Sequence, residues 1–274
     1  VKLSESITEL PEFAFATCKS LEYIYIPDSL LSIGDSAFDL TNLKSVDLPD
    51  GVHLGESVFS RCDNLQNVIL PQDIEKIPHG FFKNCTSLRN INIPESVTSI
   101  EAEAFYYSGL EKIDLPQRLS FIGTRAFGHC KSLGEIIVPE SVKKFGDEAF
   151  ADSGIKKLVL PNSLTRGTDE NAYLLWQGCS DLEELWLPNQ LTYIPGPGMA
   201  HTQFYYKTLN FPTNLKECKV EIPETLEKLI IPDSLVAVEF SDTAFSETRL
   251  PLLTQKRLRE LGYTGSFAGT RTSE

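Results

Sequence analysis

The sequence predicts an α/β repeat solenoid, in which short similar units stack as rungs of one elongated domain. Three observations point to it: a proline that recurs at a nearly fixed interval, a strand-like pattern before it, and an Ala-Phe motif after it. The intervals are 22, 22, 23, 22, 23, 22 and 27 residues in a chain of 274, between Pro27, Pro49, Pro71, Pro94, Pro116, Pro139, Pro161 and Pro188. A period of this length indicates units that bury their apolar sides against their neighbours.

The pattern before each proline has the form L-x-x-I-x-ψ-P, where ψ is apolar, and residues 88–94 read LRNINIP. Alternation of apolar and polar positions has the period of a β-strand. Ile91 and Ile93 are therefore predicted to face the core and Asn92 to face solvent. Proline lacks an amide hydrogen and suits the end of a strand. Successive strands are expected to form a parallel β-sheet on one face of a curved, right-handed stack.

The segment after each proline is predicted to turn and then to form a short helical turn opposite the sheet. In one such segment Val97 and Ile100 are two inward apolar residues three positions apart, and EAEAF follows at 101–105. The motif G/E-x-x-A-F recurs in other units. Small alanine allows the backbone to pack closely, and Phe105 is predicted to fill the core.

The repeat covers most of the chain. About ten to eleven units are expected over residues 1–250, with an irregular stretch from 189 to 225. Residues 252–261 have helical spacing and Gly262 follows them, which predicts a C-terminal helical cap within 251–274 and a flexible tail after it. The chain begins without Met inside a repeat, so we expect that upstream sequence is missing.

Five of the six cysteines share one slot, three residues after the Phe or Trp of the unit and nine before the next proline. They are Cys18, Cys62, Cys85, Cys130 and Cys179. A slot tied to one loop geometry is typical of a small buried residue, so free thiols are expected. The alternative is a disulfide between Cys62 and Cys85, because adjacent rungs lie about 4.8 Å apart. Cys218 lies outside the pattern and has no predicted role.

The composition argues against two classes of partner. The chain has 25 basic and 38 acidic residues, a formal net charge of −13. Binding to nucleic acid or to anionic lipid requires a basic surface. No nucleic-acid partner is therefore expected. No apolar run approaches the roughly 18 residues of a membrane helix, so direct membrane insertion of this segment is not expected.

No residues are predicted to converge on a catalytic or metal site. The four histidines occupy four different slots of the unit: His53, His79, His129 and His201. A triad or a metal centre needs groups that meet at one point. Acidic residues after the prolines suit solvated turns better than a calcium site. No cofactor is predicted, and an enzyme with a site in 193–225, around His201, Tyr205 and Cys218, is the remote alternative.

The outward strand positions give the candidate binding surface. Three consecutive rungs carry apolar residues there, next to an aromatic-rich loop at 193–206. Exposed apolar patches mark interaction sites, and Trp and Tyr are frequent hot-spot residues. An alternative is that a loop or another domain covers the patch. Lys156 and Lys157 are expected to pair with Glu183 and Glu184 beside it. The candidate partner-binding residues are Tyr23, Tyr25, Ile137, Val159, Trp186, Tyr205 and Tyr206.

A repeat of 22 to 23 residues with L-x-x-I-x-ψ-P, a cysteine before the leucine and G-x-x-A-F resembles the BspA-like (treponemal-type) leucine-rich repeat family. The resemblance implies a solenoid from a bacterial surface or secreted protein, often linked to adhesion. The expected function is a non-catalytic binding or adhesion module, located extracellularly or at the cell surface. A host or matrix protein is the expected partner, and a glycan is possible. The alternative is a structural spacer that presents another domain.

Overall fold

Two parallel β-ladders run along the stack, one on each side of the proline turn. The computed structural model describes residues 1–164, 175–194 and 206–271. We call the ladder before the prolines face A and the ladder after them face B. Face A contains β3 (Ser45–Asp47), β5 (Asn67–Ile69), β9 (Glu135–Ile137), β11 (Lys157–Val159), β12 (Glu184–Trp186), β13 (Thr208–Asn210) and β15 (Lys228–Ile230). Face B contains β1 (Glu9–Leu10), β2 (Ser32–Ile33), β4 (His53–Leu54), β6 (Lys76–Ile77), β7 (Ser99–Ile100), β8 (Phe121–Ile122), β10 (Lys144–Phe145), β14 (Glu217–Cys218) and β16 (Glu239–Phe240).

Strand register follows the sequence repeat. On face A, β11 pairs in parallel with β9 and with β12, so that equivalent residues of successive units lie side by side. The units of Tyr25 and Asn92 contribute single bridges to this face rather than longer strands. The predicted parallel sheet is confirmed, and a second ladder, which the sequence pattern does not predict, accompanies it.

The prediction of helical turns opposite the sheet is wrong, because the G-x-x-A-F segments form consecutive tight turns. Ser36 has φ of 54°, which an α-helix does not contain. Successive backbone amides alternate between two kinds of partner. Ala37 N donates to Gly34 O within the same turn, whereas Phe38 N donates to Val58 O of the next rung at 3.0 Å. This turn wall is a third hydrogen-bonded side. The fold is therefore a parallel β-solenoid with little helix, not an α/β mixture.

A column of aromatic rings fills the core behind the turn wall. Consecutive rings lie 5.4–5.9 Å apart between centroids and are close to parallel, a distance typical of favourable aromatic pairs. The column runs through Phe15, Phe38, Phe59, Phe82, Phe105, Phe127 and Phe150. All but Phe15 are fully buried. The predicted core positions of the unit from Leu88 to Phe105 are confirmed, since each is at most 7% exposed.

Each buried thiol of the cysteine slot has a backbone acceptor on the preceding rung. The thiols donate to the carbonyl oxygen of that rung's phenylalanine at 3.0–3.1 Å: Cys62 to Phe38, Cys85 to Phe59, Cys130 to Phe105 and Cys179 to Phe150. All are free, as expected. Cys18 is also free but exposed, so the prediction that all five are buried is wrong at this position.

Units without cysteine carry a buried hydroxyl in the same slot. Thr41 lies 3.2 Å from the thiol of Cys62, and Ser108 lies 3.3 Å from that of Cys130. Ser153 makes the same contact with Cys179 at 3.2 Å. These polar residues are buried but satisfied, because thiol and hydroxyl each contact a neighbour.

Acidic residues after the prolines accept hydrogen bonds from the backbone of the next turn. Asp50 accepts a hydrogen bond from Gln72 N at 2.7 Å, and Glu95 accepts one from Gln117 N at 3.0 Å. No group of side chains within the described ranges could hold a metal ion. The turn interpretation of this column is confirmed.

Residues 206–225 continue both ladders inside the stretch from 189 to 225 that is expected to be irregular. β13 pairs with β12 and with β15 on face A. Cys218 lies in β14 on face B, where it is buried and has Phe240 as its register partner. It therefore occupies the inward apolar position of that strand, which the sequence pattern did not assign.

The C-terminal helix is present, but a helical cap is not confirmed. Helix α1 (Leu252–Glu260) follows β17 (Arg249–Pro251), and the chain then forms β18 (Gly269–Arg271), which pairs in parallel with β17. The prediction of a flexible tail is therefore wrong up to residue 271. Of the helical residues only Leu258 is fully buried. Within the described ranges, no helix has the length and apolarity to cross a membrane.

Candidate partner-binding surface

The three apolar residues predicted to form an outward column do stand side by side on face A. Val159 is the register partner of both Ile137 and Trp186. Ile137 is 59% exposed, while Val159 and Trp186 are half-buried. The inward residues between them, Leu158 among others, are buried in the core. The column is therefore a continuous apolar strip on the outside of three adjacent strands.

Charged side chains run parallel to this strip, two residues earlier on each strand. Lys157 Nζ lies 2.9 Å from Glu135 Oε1, and this hydrogen bond raises the pKa of Lys157. Trp186 Nε1 donates to Glu184 Oε2 at 3.3 Å, which fixes the indole against the strip. The surface thus combines an apolar strip with a charged border that remains in water.

The predicted pairing of Lys156 and Lys157 with Glu183 and Glu184 is confirmed in register for Lys157, which lies beside Glu184 on the neighbouring strand. The amino group of Lys157 turns to the preceding rung and contacts Glu135. Glu183 instead pairs with Lys207 of the following rung, at 3.1 Å. Each acid has a basic neighbour on an adjacent rung, so the border is locally neutral although the chain is acidic.

Asn210 ends the strip on the next rung. It occupies the same outward slot of the repeat but is buried. Its side-chain Oδ1 accepts the amide hydrogen of Leu187 at 2.5 Å, and its Nδ2 donates to Leu187 O at 3.1 Å. The side-chain amide thereby replaces a backbone peptide group in the ladder, with both its oxygen and its nitrogen bonded to Leu187.

The two tyrosines near the N-terminus form a separate patch. Tyr23 and Tyr25 are 57% and 48% exposed. Lys44 Nζ lies 5.6 Å from the ring centre of Tyr23, and Lys2 Nζ lies 5.1 Å from that of Tyr25, within the range of cation–π attraction. Between this patch and Ile137 lie four rungs, three of which present polar residues. Those outward positions are Asp47, Ile69, Asn92 and Asp114.

Two of the candidate aromatics do not join the surface. Tyr206 is 1% exposed, and burial raises its pKa. It is a core residue, so the prediction that it contacts a partner is wrong. Tyr205 and His201 lie outside the described residues, as does most of the 193–206 loop.

The sequence reasoning missed an aromatic cluster on the turn wall. The rings of Tyr107 and His129 stack at 4.3 Å between centroids, and Tyr106 meets Tyr107 edge-on at 4.7 Å. His129 Nε2 lies 3.6 Å from Asp152 Oδ2, and burial raises the pKa of Tyr106. The consecutive tyrosines after Phe105 are the signal that could have located it. These rings contact one another and lie on a different wall from the strip.

Comparisons with known proteins identify the repeat. A family model described as the BspA type leucine rich repeat region matches in six copies over residues 1–111 and 98–222. A leucine-rich repeat protein from Bacteroides ovatus has the same fold with a TM-score of 0.66 at 22% identity, covering 98% of this chain and 77% of that one. The pneumococcal vaccine antigen PcpA matches with a TM-score of 0.53 at 18% identity, covering 100% and 79%. No curated protein sequence matches the chain.

Proposed function

Because the chain belongs to the BspA-type leucine-rich repeat family, we propose that it is a non-catalytic module of a bacterial surface or secreted protein that binds a partner protein. The strip of Ile137, Val159 and Trp186 on face A supports this proposal. It is apolar, partly exposed and bordered by charge, which is the composition of a protein-binding patch with a polar rim.

The contact is made by rigid strands rather than by loops. Val159 is held in register on both sides, and the Trp186 indole is fixed by Glu184. Little side-chain freedom is lost when such a surface is covered, which favours affinity for a given area. A tryptophan in the strip is the expected energetic centre of the interface.

Binding to immobilised host matrix proteins tests the proposal, with collagen, fibronectin, laminin and fibrinogen measured by biolayer interferometry. The double change Ile137→Ser and Trp186→Ala is expected to weaken binding at least tenfold, because it removes the apolar centre of the strip. Its matched control is Ile69→Ser, since Ile69 occupies the same slot on β5 and is 57% exposed.

The control variant should bind as the wild type does. Equal affinity of the double variant and the wild type would reject face A as the binding surface. Circular dichroism melting of all three proteins checks that the solenoid is intact. Loss of binding after removal of glycans from the immobilised proteins would identify a glycan as the ligand.

A further inference from the structure

Face B is interrupted between two consecutive rungs. It is continuous from β1 through β2 to β4, and again from β6 through β7 and β8 to β10. Although all residues between them are described, β4 and β6 form no ladder with each other. The interruption leaves a groove of about 710 Å³ between the two strands.

Two departures from the repeat explain the groove. In other rungs the residue after the face B strand donates its N–H to the previous rung, as Gly55 does to Ile33 O at 2.9 Å and Gly123 to Ile100 O at 2.7 Å. Pro78 occupies this position after β6 and has no N–H to donate. The turn before β4 is also one residue shorter than in the neighbouring units, and Gly51 closes it with φ of 77°.

The opening is confined to face B because the other two walls hold the same rungs together. On face A, β3 and β5 pair over three residues. On the turn wall, Ser57 N donates to His79 O at 2.8 Å. Beside the groove, Gly51 N donates to the Asp73 carboxylate at 3.1 Å. The groove is therefore a slit in one wall of a stack whose other two walls are hydrogen-bonded at the same rungs.

Unpaired backbone groups line both edges of the slit. Among the hydrogen bonds of the described residues, none reaches the carbonyl oxygens of Val52 and Leu54 on one edge. None involves the amide hydrogens of Glu75 and Lys76 on the other. The carbonyl groups of Val52 and Leu54 are two residues apart on the same strand edge. In an extended polypeptide, N–H groups that point to the same side are also two residues apart, so such a chain could donate to both carbonyls. A strand that enters the slit would supply the hydrogen bonds that Pro78 cannot make.

The charge of the slit indicates the kind of polypeptide. Its lining includes Asp73 and Glu75, both exposed, against a single Lys76. The chain as a whole carries a net charge of −13. A basic side chain on the incoming strand would therefore be attracted to the slit and steered towards it.

We propose that this slit binds an extended, basic segment of a partner polypeptide, which pairs in parallel with the free edge of β4. The mode is strand addition, in which backbone hydrogen bonds give affinity and alternate side chains give selectivity. The slit is on face B, so this site is separate from the strip on face A and does not depend on it.

The test uses a fluorescein-labelled six-residue peptide that alternates lysine and valine, measured by fluorescence anisotropy with the full chain. A matched peptide carries N-methyl groups on alternate amides, and a second replaces lysine with glutamate. The unmodified basic peptide is expected to bind at least tenfold more tightly than either. Hydrogen exchange at the amides of Glu75 and Lys76 should slow when it binds, because the occupied slit is shielded from water.

A closing variant separates binding from folding. Pro78→Gly restores the backbone N–H that the other rungs have at this position. A serine inserted after Gly51 gives the turn before β4 the length that it has in the other rungs. The combined variant is expected to raise the melting temperature, because β4 and β6 can pair, and to weaken peptide binding at least tenfold. The Ile137→Ser and Trp186→Ala variant should bind the peptide as the wild type does.

The proposal would be overturned by no binding of the basic peptide, by equal binding of its N-methylated or glutamate form, or by unchanged hydrogen exchange at Glu75 and Lys76 in the complex. Binding of soluble oligosaccharides in place of the peptide would assign the slit to glycans and also reject it. If the closing variant does not fold, the N-methylated peptide and the exchange measurement still decide the question.

Discussion

Single positions show how the repeat satisfies polar groups inside an apolar stack. The slot three residues after each core aromatic holds a thiol or a hydroxyl, and in both cases the side chain is hydrogen-bonded. Asn210 solves a related problem on face A, where its side-chain amide replaces a backbone peptide group beside Leu187. Residue type at such positions is therefore set by hydrogen bonding as well as by volume.

Asn210→Ala is expected to destabilise the protein by about 2 kcal/mol, because it leaves the buried N–H and C=O of Leu187 without the amide. The measurement is the free energy of unfolding in urea. Asn92→Ala is the matched control, since Asn92 occupies the same slot and is exposed. A loss of the same size in the control would show that the slot, and not the buried amide, determines stability.

The turn wall is the element whose form differs most from the sequence expectation. The position two residues before the core aromatic has a positive φ, and it holds glycine in one described rung and larger residues in the others. The residues there are Phe13, Ser36, Ser57, Gly80, Glu103, Arg125 and Glu148. A side chain in this left-handed conformation costs about 1 kcal/mol. The wall tolerates the strain because its amides are bonded both within the turn and to the next rung.

Ser36→Gly is therefore expected to stabilise the protein by up to about 1 kcal/mol, since glycine adopts this conformation without steric cost. The gain is read from the shift of the urea unfolding midpoint. Ala37→Gly, one residue later and without a positive φ, should destabilise instead. A destabilised Ser36→Gly variant would contradict the role given to backbone strain in this wall.

The stack buries several ionisable thiols, and their burial is expected to make the protein less stable at alkaline pH. Burial raises the pKa of Cys62 and Cys179 to about 11 and that of Cys130 and Cys218 to about 12. In the unfolded chain these thiols ionise near their ordinary value of 9.0. The unfolded state therefore loses protons first, and stability falls as pH rises from about 9 towards 12.

The expected result is a urea midpoint that is constant up to about pH 8 and decreases above about pH 9. Cys130→Ala should lower stability at neutral pH, because it creates a small cavity, but should show a weaker decrease above pH 9. Cys18→Ala, at the exposed cysteine, should keep the wild-type profile. Identical profiles for all three proteins would mean that the buried thiols do not cause the alkaline loss.

Much of the stack follows from its sequence period, but not all of it. Leu88, Ile91 and Phe105 lie in the core because strand alternation and repeat spacing determine which face they occupy. The turn wall could not be predicted, since nothing in serine or glutamate marks a positive φ. The break in the repeat predicts a surface position for Tyr206, whereas this side chain is buried. The strand at 269–271 depends on pairing with β17, a contact that its composition does not reveal.

Photo-crosslinking tests the central claim, that face A contacts a partner through Ile137, Val159 and Trp186. A photoreactive phenylalanine is placed, one position at a time, at 137, 159 and 186 in the strip. Control variants carry it at 25, 47 and 69, which belong to the same outward column. Each variant is irradiated together with the matrix protein that the wild type binds. Mass spectrometry of the products is expected to show crosslinks from the first three positions only. Crosslinks from 25, 47 or 69 and none from the strip would contradict the account.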